Sequence, residues 1–102
     1  MQLVQVFVPV IWKEDPARFA SEVSAVVQEL TERFGGATSF VRGAPAGRWK
    51  NDDGEIEADD LVVVEVQVSE VSLSWWSAFQ ARLERRFGQE EILVRYHEVH
   101  AL

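Results

Sequence analysis

The stretch "EDPARFASEVSAVVQELTERFGG", residues 14–36, decides the fold. Asp15 followed by Pro16 is typical of a helix start, because aspartate caps free backbone N–H groups and proline at the first helical position loses no hydrogen bond. Apolar residues then recur every three or four positions, which predicts one buried helix face. These residues are Phe19, Val23, Val26, Val27, Leu30 and Phe34. Gly35 and Gly36 provide a positive-φ end, so the stretch predicts one complete amphipathic helix.

Alternating segments surround this helix. "LVQVFVPV", residues 3–10, places valine at every second position, as a strand with one buried side requires. "ATSFVR" (37–42), "DLVVVEVQV" (60–68) and "EEILVRYHEV" (90–99) predict three more strands. "SLSWWSAFQARLERRFG" (72–88) predicts a second helix, capped by Ser72 or Ser74 and burying Trp76, Phe79, Leu83 and Phe87. The predicted order is β-α-β-β-α-β.

This order predicts an α+β, ferredoxin-like βαββαβ sandwich in which a four-stranded antiparallel sheet carries two helices on one face, because both crossovers are right-handed. The length of 102 residues suits a single domain over residues 1–102. Residues 43–60 form a loop or hairpin insertion in this scheme, with a small hairpin from about Trp49 to Ile56.

The other side of the sheet, which we call the second face, takes the residues of opposite parity. They are Leu3, Gln5 and Phe7 in the first strand, Leu61, Val63, Glu65 and Gln67 in the third, and Leu93, Arg95 and His97 in the last. The set is half apolar, too apolar to face water over its whole area. We therefore expect a homodimer that buries part of the second face.

Composition excludes several partners. A formal net charge of -7 repels phosphate backbones, which disfavours nucleic acid. The chain contains no cysteine, so disulfides, cysteine-ligated metals and thiolate nucleophiles are excluded. The apolar run at the start is too short to span a bilayer and lacks the features of a signal peptide. We expect a soluble cytoplasmic protein that binds no membrane.

Three short segments, "LTERFGG", "GRWK" and "EEILVR", together with the topology, resemble the dimeric α/β-barrel group of ferredoxin-like proteins, nearest to small bacterial proteins of unknown function. That group includes cofactor-free monooxygenases and muconolactone isomerase-like enzymes. The resemblance implies a homodimer without a cofactor. It provides no catalytic motif that would transfer an active residue to this chain.

His97 and Glu65 are the candidate catalytic residues, because histidine and glutamate can move protons and both have second-face parity. The first strand lies between the strands that carry them, so the axes of those two strands are roughly 9 to 10 Å apart. We therefore expect a ligand or water between His97 and Glu65 if the pair is functional. We expect Gln5 or Phe7 to be the direct neighbour of His97. His97 and His100 point to opposite faces unless the strand ends between them, and we predict no metal site.

A basic, aromatic segment supplies the candidate ligand-binding residues. Arg42, Arg48 and Trp49, together with Arg95 on the last strand, could hold a small anionic or aromatic ligand through bidentate hydrogen bonds and stacking. Alternatively, Trp49 fills the core or a dimer seam. Two functions follow: a cofactor-free isomerase or monooxygenase-like enzyme, or a non-catalytic binding or assembly module.

Overall fold

The chain folds in the predicted order. The computed structural model describes residues 1–42, 49–50, 56–57 and 61–102, and at 42, 49–50 and 56–57 it describes the backbone alone. The elements are β1 (Gln2–Pro9), α1 (Pro16–Phe34), β2 (Thr38–Arg42), β3 (Trp49–Lys50), β4 (Ile56–Glu57), β5 (Leu61–Val68), α2 (Leu73–Phe87) and β6 (Leu93–Glu98). Strands β3 and β4 pair with each other, as the predicted small hairpin requires.

The main sheet has four strands in the order β2-β5-β1-β6, and each neighbouring pair is antiparallel. The two long strands β1 and β5 lie in the centre, and the shorter β2 and β6 form the edges. This arrangement confirms the predicted ferredoxin-like fold class. It also places the last strand next to the first and separates it from β5 by β1.

Local sequence signals fix both helices. The Asp15 side chain accepts a hydrogen bond from the backbone N–H of Arg18 at 3.1 Å, and Gly35 ends α1 with φ of 92°. Of the two serines considered for α2, Ser72 is the cap and accepts from the backbone N–H of Trp75. In the part of the chain that the structure describes, no helix is long and apolar enough to cross a membrane.

A single hydrophobic cluster joins both helices to one side of the sheet, which we call the first face. Even-numbered residues of the central strands supply the sheet part: Val4, Val6, Val8, Val62, Val64, Val66 and Val68. The helices supply the predicted periodic residues: Phe19, Val23, Val26 and Leu30 from α1, and Trp76, Phe79, Leu83 and Phe87 from α2. Burial of these apolar side chains is the main stabilising contribution to the fold.

The loop after β1 contains a feature that the sequence did not indicate. Trp12 has a positive φ of 53°, a region that bulky side chains rarely adopt. The Trp12 ring stacks on the Phe87 ring with centroids 5.6 Å apart. The guanidinium of Arg18, a residue of α1, lies 3.9 Å from the centre of the Trp12 ring. These aromatic and cation–π contacts compensate for the strained backbone and fix the entry into α1.

Candidate functional site

Strand register arranges the second face in rows that run across the strands. An apolar row contains Phe40, Val63, Phe7 and Leu93, in the order β2, β5, β1, β6. The next row, the polar row, contains Thr38, Glu65, Gln5 and Arg95. A third row contains Gln67, Leu3 and His97, and β2 contributes no residue to it. The second face therefore carries an apolar row beside a polar one.

The apolar row differs in burial between its centre and its ends. Val63 is 1% exposed and Phe7 is 7% exposed, whereas Phe40 and Leu93 at the edges are 46% and 48% exposed. The Arg95 guanidinium lies 4.7 Å from the centre of the Phe7 ring. The single chain already buries Phe7 and Val63, so neither side chain needs a partner to shield it. Exposed apolar area on this row is confined to its two ends.

The polar row forms a hydrogen-bonded chain between two opposite charges. Arg95 Nε donates to Gln5 Oε1 at 3.0 Å, and Gln5 Nε2 donates to Glu65 Oε2 at 2.7 Å. The carboxylate and the guanidinium together fix the orientation of the Gln5 amide, since its oxygen must face the donor and its nitrogen the acceptor. Glu65 is partly buried, and among the described side chains Gln5 alone donates a hydrogen bond to it.

An open cavity of about 460 Å³ lies at the Glu65 end of this chain. It forms where the β2–β5 ladder begins at the pair Thr38–Glu65, while β5 runs on to Val68 without a β2 partner. The lining residues come from β1, β5, the end of α1, the connection that follows it and the start of β2: Leu3, Phe34, Gly36, Ala37, Thr38, Glu65 and Gln67. The cavity thus combines one carboxylate, an amide and a hydroxyl with an aromatic ring and aliphatic surface.

His97 lies on the second face, as predicted, but its surroundings differ from the prediction. Its direct neighbour across the ladder is Leu3, not Gln5 or Phe7. It is exposed, it belongs to a different row from Glu65, and it does not line the cavity of its own chain. Strand β6 ends at Glu98, and His100 beyond it lies 3.6 Å from the Glu98 carboxylate. A single chain therefore does not bring the predicted catalytic pair together.

Of the four predicted ligand-binding residues, Arg95 is the one whose side chain the structure describes. Arg48 lies outside the described residues, and so do the side chains of Arg42 and Trp49, although their backbones belong to β2 and β3. An anion site built from these three stays a prediction. Arg95 is described, and it contacts Gln5 and Phe7 without lining the cavity.

Two polar residues of the site were given no functional role in the sequence-based prediction. Gln5 was placed on the second face, and it proves to be the link between Glu65 and Arg95. Thr38 begins β2 and lines the cavity. A signal for Gln5 existed in the sequence, since it is the one polar residue inside the otherwise apolar run from Leu3 to Val8.

No family model matches the chain, and no curated protein matches it in sequence. Among solved structures, the fold is similar to a phage SAM lyase in complex with S-methyl-5′-thioadenosine. The alignment covers 95% of this chain and 80% of that chain, with 17% sequence identity and a TM-score of 0.59. At this identity the similarity shows a common fold and nothing about the ligand of the present chain. Of the resemblance to the dimeric α/β-barrel group, the structure shows the ferredoxin-like architecture.

Proposed function

We propose that the protein is a homodimer that binds a small molecule in the cavity beside Glu65 and presents this carboxylate as its hydrogen-bond or proton acceptor. The observation that carries the proposal is the chain from Arg95 through Gln5 to Glu65. A partly buried carboxylate is costly unless its interactions compensate for lost hydration. Here an oriented amide holds the carboxylate at a cavity wall instead of leaving it free in solvent.

The lining indicates the kind of molecule that fits. The volume of about 460 Å³ lies within the usual range of small-molecule sites. Phe34 and Leu3 offer surface to an aromatic or aliphatic body, and Glu65 is the one charged residue among the described residues that line the cavity. A ligand with an amine, another hydrogen-bond donor or a positive centre therefore complements this cavity better than an anion does.

Glu65 could also support a reaction without a cofactor. A carboxylate that takes a proton from an acidic C–H of the ligand and returns it to another carbon moves a double bond with no change in oxidation state, and this is an isomerase-type reaction. The hydrogen bond from Gln5 would keep the carboxylate in position through both proton transfers. The cavity provides space for such a substrate next to the acceptor oxygen.

A non-catalytic assembly module is the second candidate. Phe40 and Leu93 favour it, because both are half exposed and both lie on the second face. Exposed apolar side chains of this size are ordinary when scattered, but on one sheet face they suit an interface. In this alternative the second copy fills the cavity with its own side chains and no ligand enters.

Thermal unfolding with a small panel of compounds tests the proposal. The panel contains SAM and S-methyl-5′-thioadenosine, because the similar solved structure is a SAM lyase in complex with S-methyl-5′-thioadenosine, together with a diamine and, as an anionic control, benzoate. We expect a donor-bearing or cationic compound to raise the Tm of the wild type and to lose this effect in Glu65→Gln. The effect should persist in Glu70→Gln, an exposed acid just beyond β5 that does not line the cavity.

Native mass spectrometry of the purified protein extends the same test to compounds from the expression host. A co-purifying small molecule that is present in wild type and in Glu70→Gln but absent from Glu65→Gln would support the proposal. If no compound binds, or if Glu65→Gln binds as well as wild type, the binding function at Glu65 is wrong.

A further inference from the structure

The two half-exposed residues of the apolar row lie at its opposite ends. Phe40 is on the edge strand β2 and Leu93 is on the other edge strand β6, while the buried Val63 and Phe7 lie between them. A second copy of the same chain can shield both residues at once if it places its own Leu93 over Phe40 and its own Phe40 over Leu93. One two-fold axis achieves this twice with identical contacts.

The direction of that axis follows from the rows. Face-to-face sheets pack about 10 Å apart with their strands either nearly aligned or nearly perpendicular. In the aligned arrangement, a two-fold axis in the interface runs either along the strands or across them. An axis along the strands keeps every row opposite the same row and exchanges the two edges. An axis across the strands keeps β6 over β6 and exchanges rows, so at most one row can meet itself.

Of the two, the axis along the strands matches apolar with apolar and polar with polar over the apolar row and the polar row, and in the third row it sets Leu3 against Gln67. It sets Phe40 against Leu93 in the apolar row and Glu65 against Gln5 in the polar row. The charges agree with this, because the described side chains of these rows include one acid, Glu65, and one base, Arg95, in a chain of net charge -7. Two copies can therefore approach at the second face without the repulsion that their overall charge produces.

The third row then has a particular consequence. On this row His97 occupies the β6 end, while the β2 end holds no strand residue, and the cavity lies there beside Gln67. Exchange of the edges brings His97 of one copy over the cavity of the other. We propose that each site is shared, with Glu65 and the cavity from one chain and His97 from the second.

This inference rests on the homodimer of the proposed function and adds a residue to its site. An imidazole and a carboxylate on opposite sides of one ligand provide two groups that can each give or take a proton. The second copy also closes an otherwise open cavity, which excludes water and strengthens the interactions of Glu65. The two residues that a single chain holds on different rows thus act on the same molecule.

Cross-linking tests the arrangement directly, because the chain has no cysteine of its own. Gln67→Cys and His97→Cys, both at exposed positions, are made as separate variants, and one carries an affinity tag so that mixed products differ in mass. The two are mixed and treated with a short bis-maleimide that spans the gap between facing sheets. Any 67–97 link must then join two chains. His100→Cys, beyond the end of β6, replaces His97→Cys in the control mixture.

We expect a 67–97 product to dominate in the first mixture and the 67–100 product to be at least fivefold weaker. A dominant 97–97 product from His97→Cys alone would place β6 over β6 and overturn the shared site. A dimer that gives no 67–97 product would also overturn it. Light scattering on the same samples separates these failures from loss of the dimer itself, which would refute the proposed function as well.

Discussion

The two faces of the sheet come from alternate residues of the same strands, yet they differ in composition and in what lies against them. On the first face, valines alternate along β1 and β5, and both helices add buried side chains to the same cluster. On the second face, the rows mix Phe7 and Val63 with Gln5, Glu65 and Arg95. The first face needs only packing, whereas the second carries hydrogen bonds, charges and a cavity.

This difference shows where stability and recognition are located in a small domain. A domain of this size has one main apolar cluster with which to offset the conformational entropy of folding, and the first face provides it. Polar residues on the second face contribute less to stability, because their interactions with the protein largely replace interactions with water. The second face can therefore hold specific chemistry without loss of the fold.

The largest expected effect is on the first face. Phe79 is 1% exposed and packs against the two tryptophans at the start of α2, so Phe79→Ala leaves a cavity in the core. We expect the free energy of unfolding to fall by about 3 to 5 kcal/mol, measured by urea denaturation. A loss below about 1 kcal/mol would mean that the first face is not the main source of stability.

An intermediate effect is expected where the second face is polar. Gln5→Leu removes the amide that links Arg95 to Glu65 and leaves the partly buried carboxylate without that donor. We expect a loss of about 1 to 2 kcal/mol by urea denaturation, together with loss of any ligand effect on the Tm. Gln28→Leu, which removes an exposed side-chain bond to Glu32 on α1, is the matched control and should change stability by less than about 0.5 kcal/mol.

If both glutamine variants unfold equally easily, the hydrogen-bonded chain contributes nothing beyond an ordinary surface contact. The distinction between a packed first face and a chemically organised second face would then lose its main support.

A smaller effect on stability but a clear effect on assembly is expected at Leu93. It is half exposed at the edge of the second face, so Leu93→Glu should change the free energy of unfolding of the single chain by less than about 1 kcal/mol. It should raise the dissociation constant of the dimer at least about tenfold, since two apolar contacts are replaced by charges. Phe7 is unsuited to this test because the single chain buries it.

Sedimentation velocity compares this variant with Leu73→Glu, another exposed leucine, at the first position of α2 and away from the second face. Equal weakening of the dimer by both substitutions would indicate a general effect of added charge, and the second face would not be the interface.

The smallest effect is expected on the outer surface of the helices. Arg82 of α2 forms an ion pair with Glu29 of α1, and both side chains are substantially exposed. Exposed ion pairs of this kind contribute little, because solvent screens the charges and ordering two long side chains costs entropy. We expect Arg82→Ala to reduce stability by less than about 0.5 kcal/mol in urea denaturation, and a loss above about 2 kcal/mol would contradict this ranking.

Sequence patterns predicted the first face well. The period of α1 and α2 and the parity of β1 and β5 identified the buried cluster. Residue type alone identified the cap at Asp15 and narrowed the second cap to Ser72 or Ser74. Such patterns are local, and burial on one side is what produces them. The topology followed because few connections of these elements are possible.

The second face was predicted less completely, because its details depend on register. Parity placed Glu65 and His97 on it correctly, but pairing one strand against another decided that His97 faces Leu3 and that Gln5 faces both Glu65 and Arg95. The cavity arises from a difference in strand length between β2 and β5, which sequence boundaries do not give to within a residue. Burial of Val63 could not be inferred from parity at all.

Both the proposed dimer and the shared site require that two copies meet through the second face. Light scattering on the wild-type protein at micromolar concentration measures this directly. We predict a mass of twice the 11.6 kDa of one chain, which falls toward the single-chain value in Leu93→Glu. A clean single-chain mass for wild type at every concentration tested would contradict the account, because the shared site and the proposed dimer would both be absent.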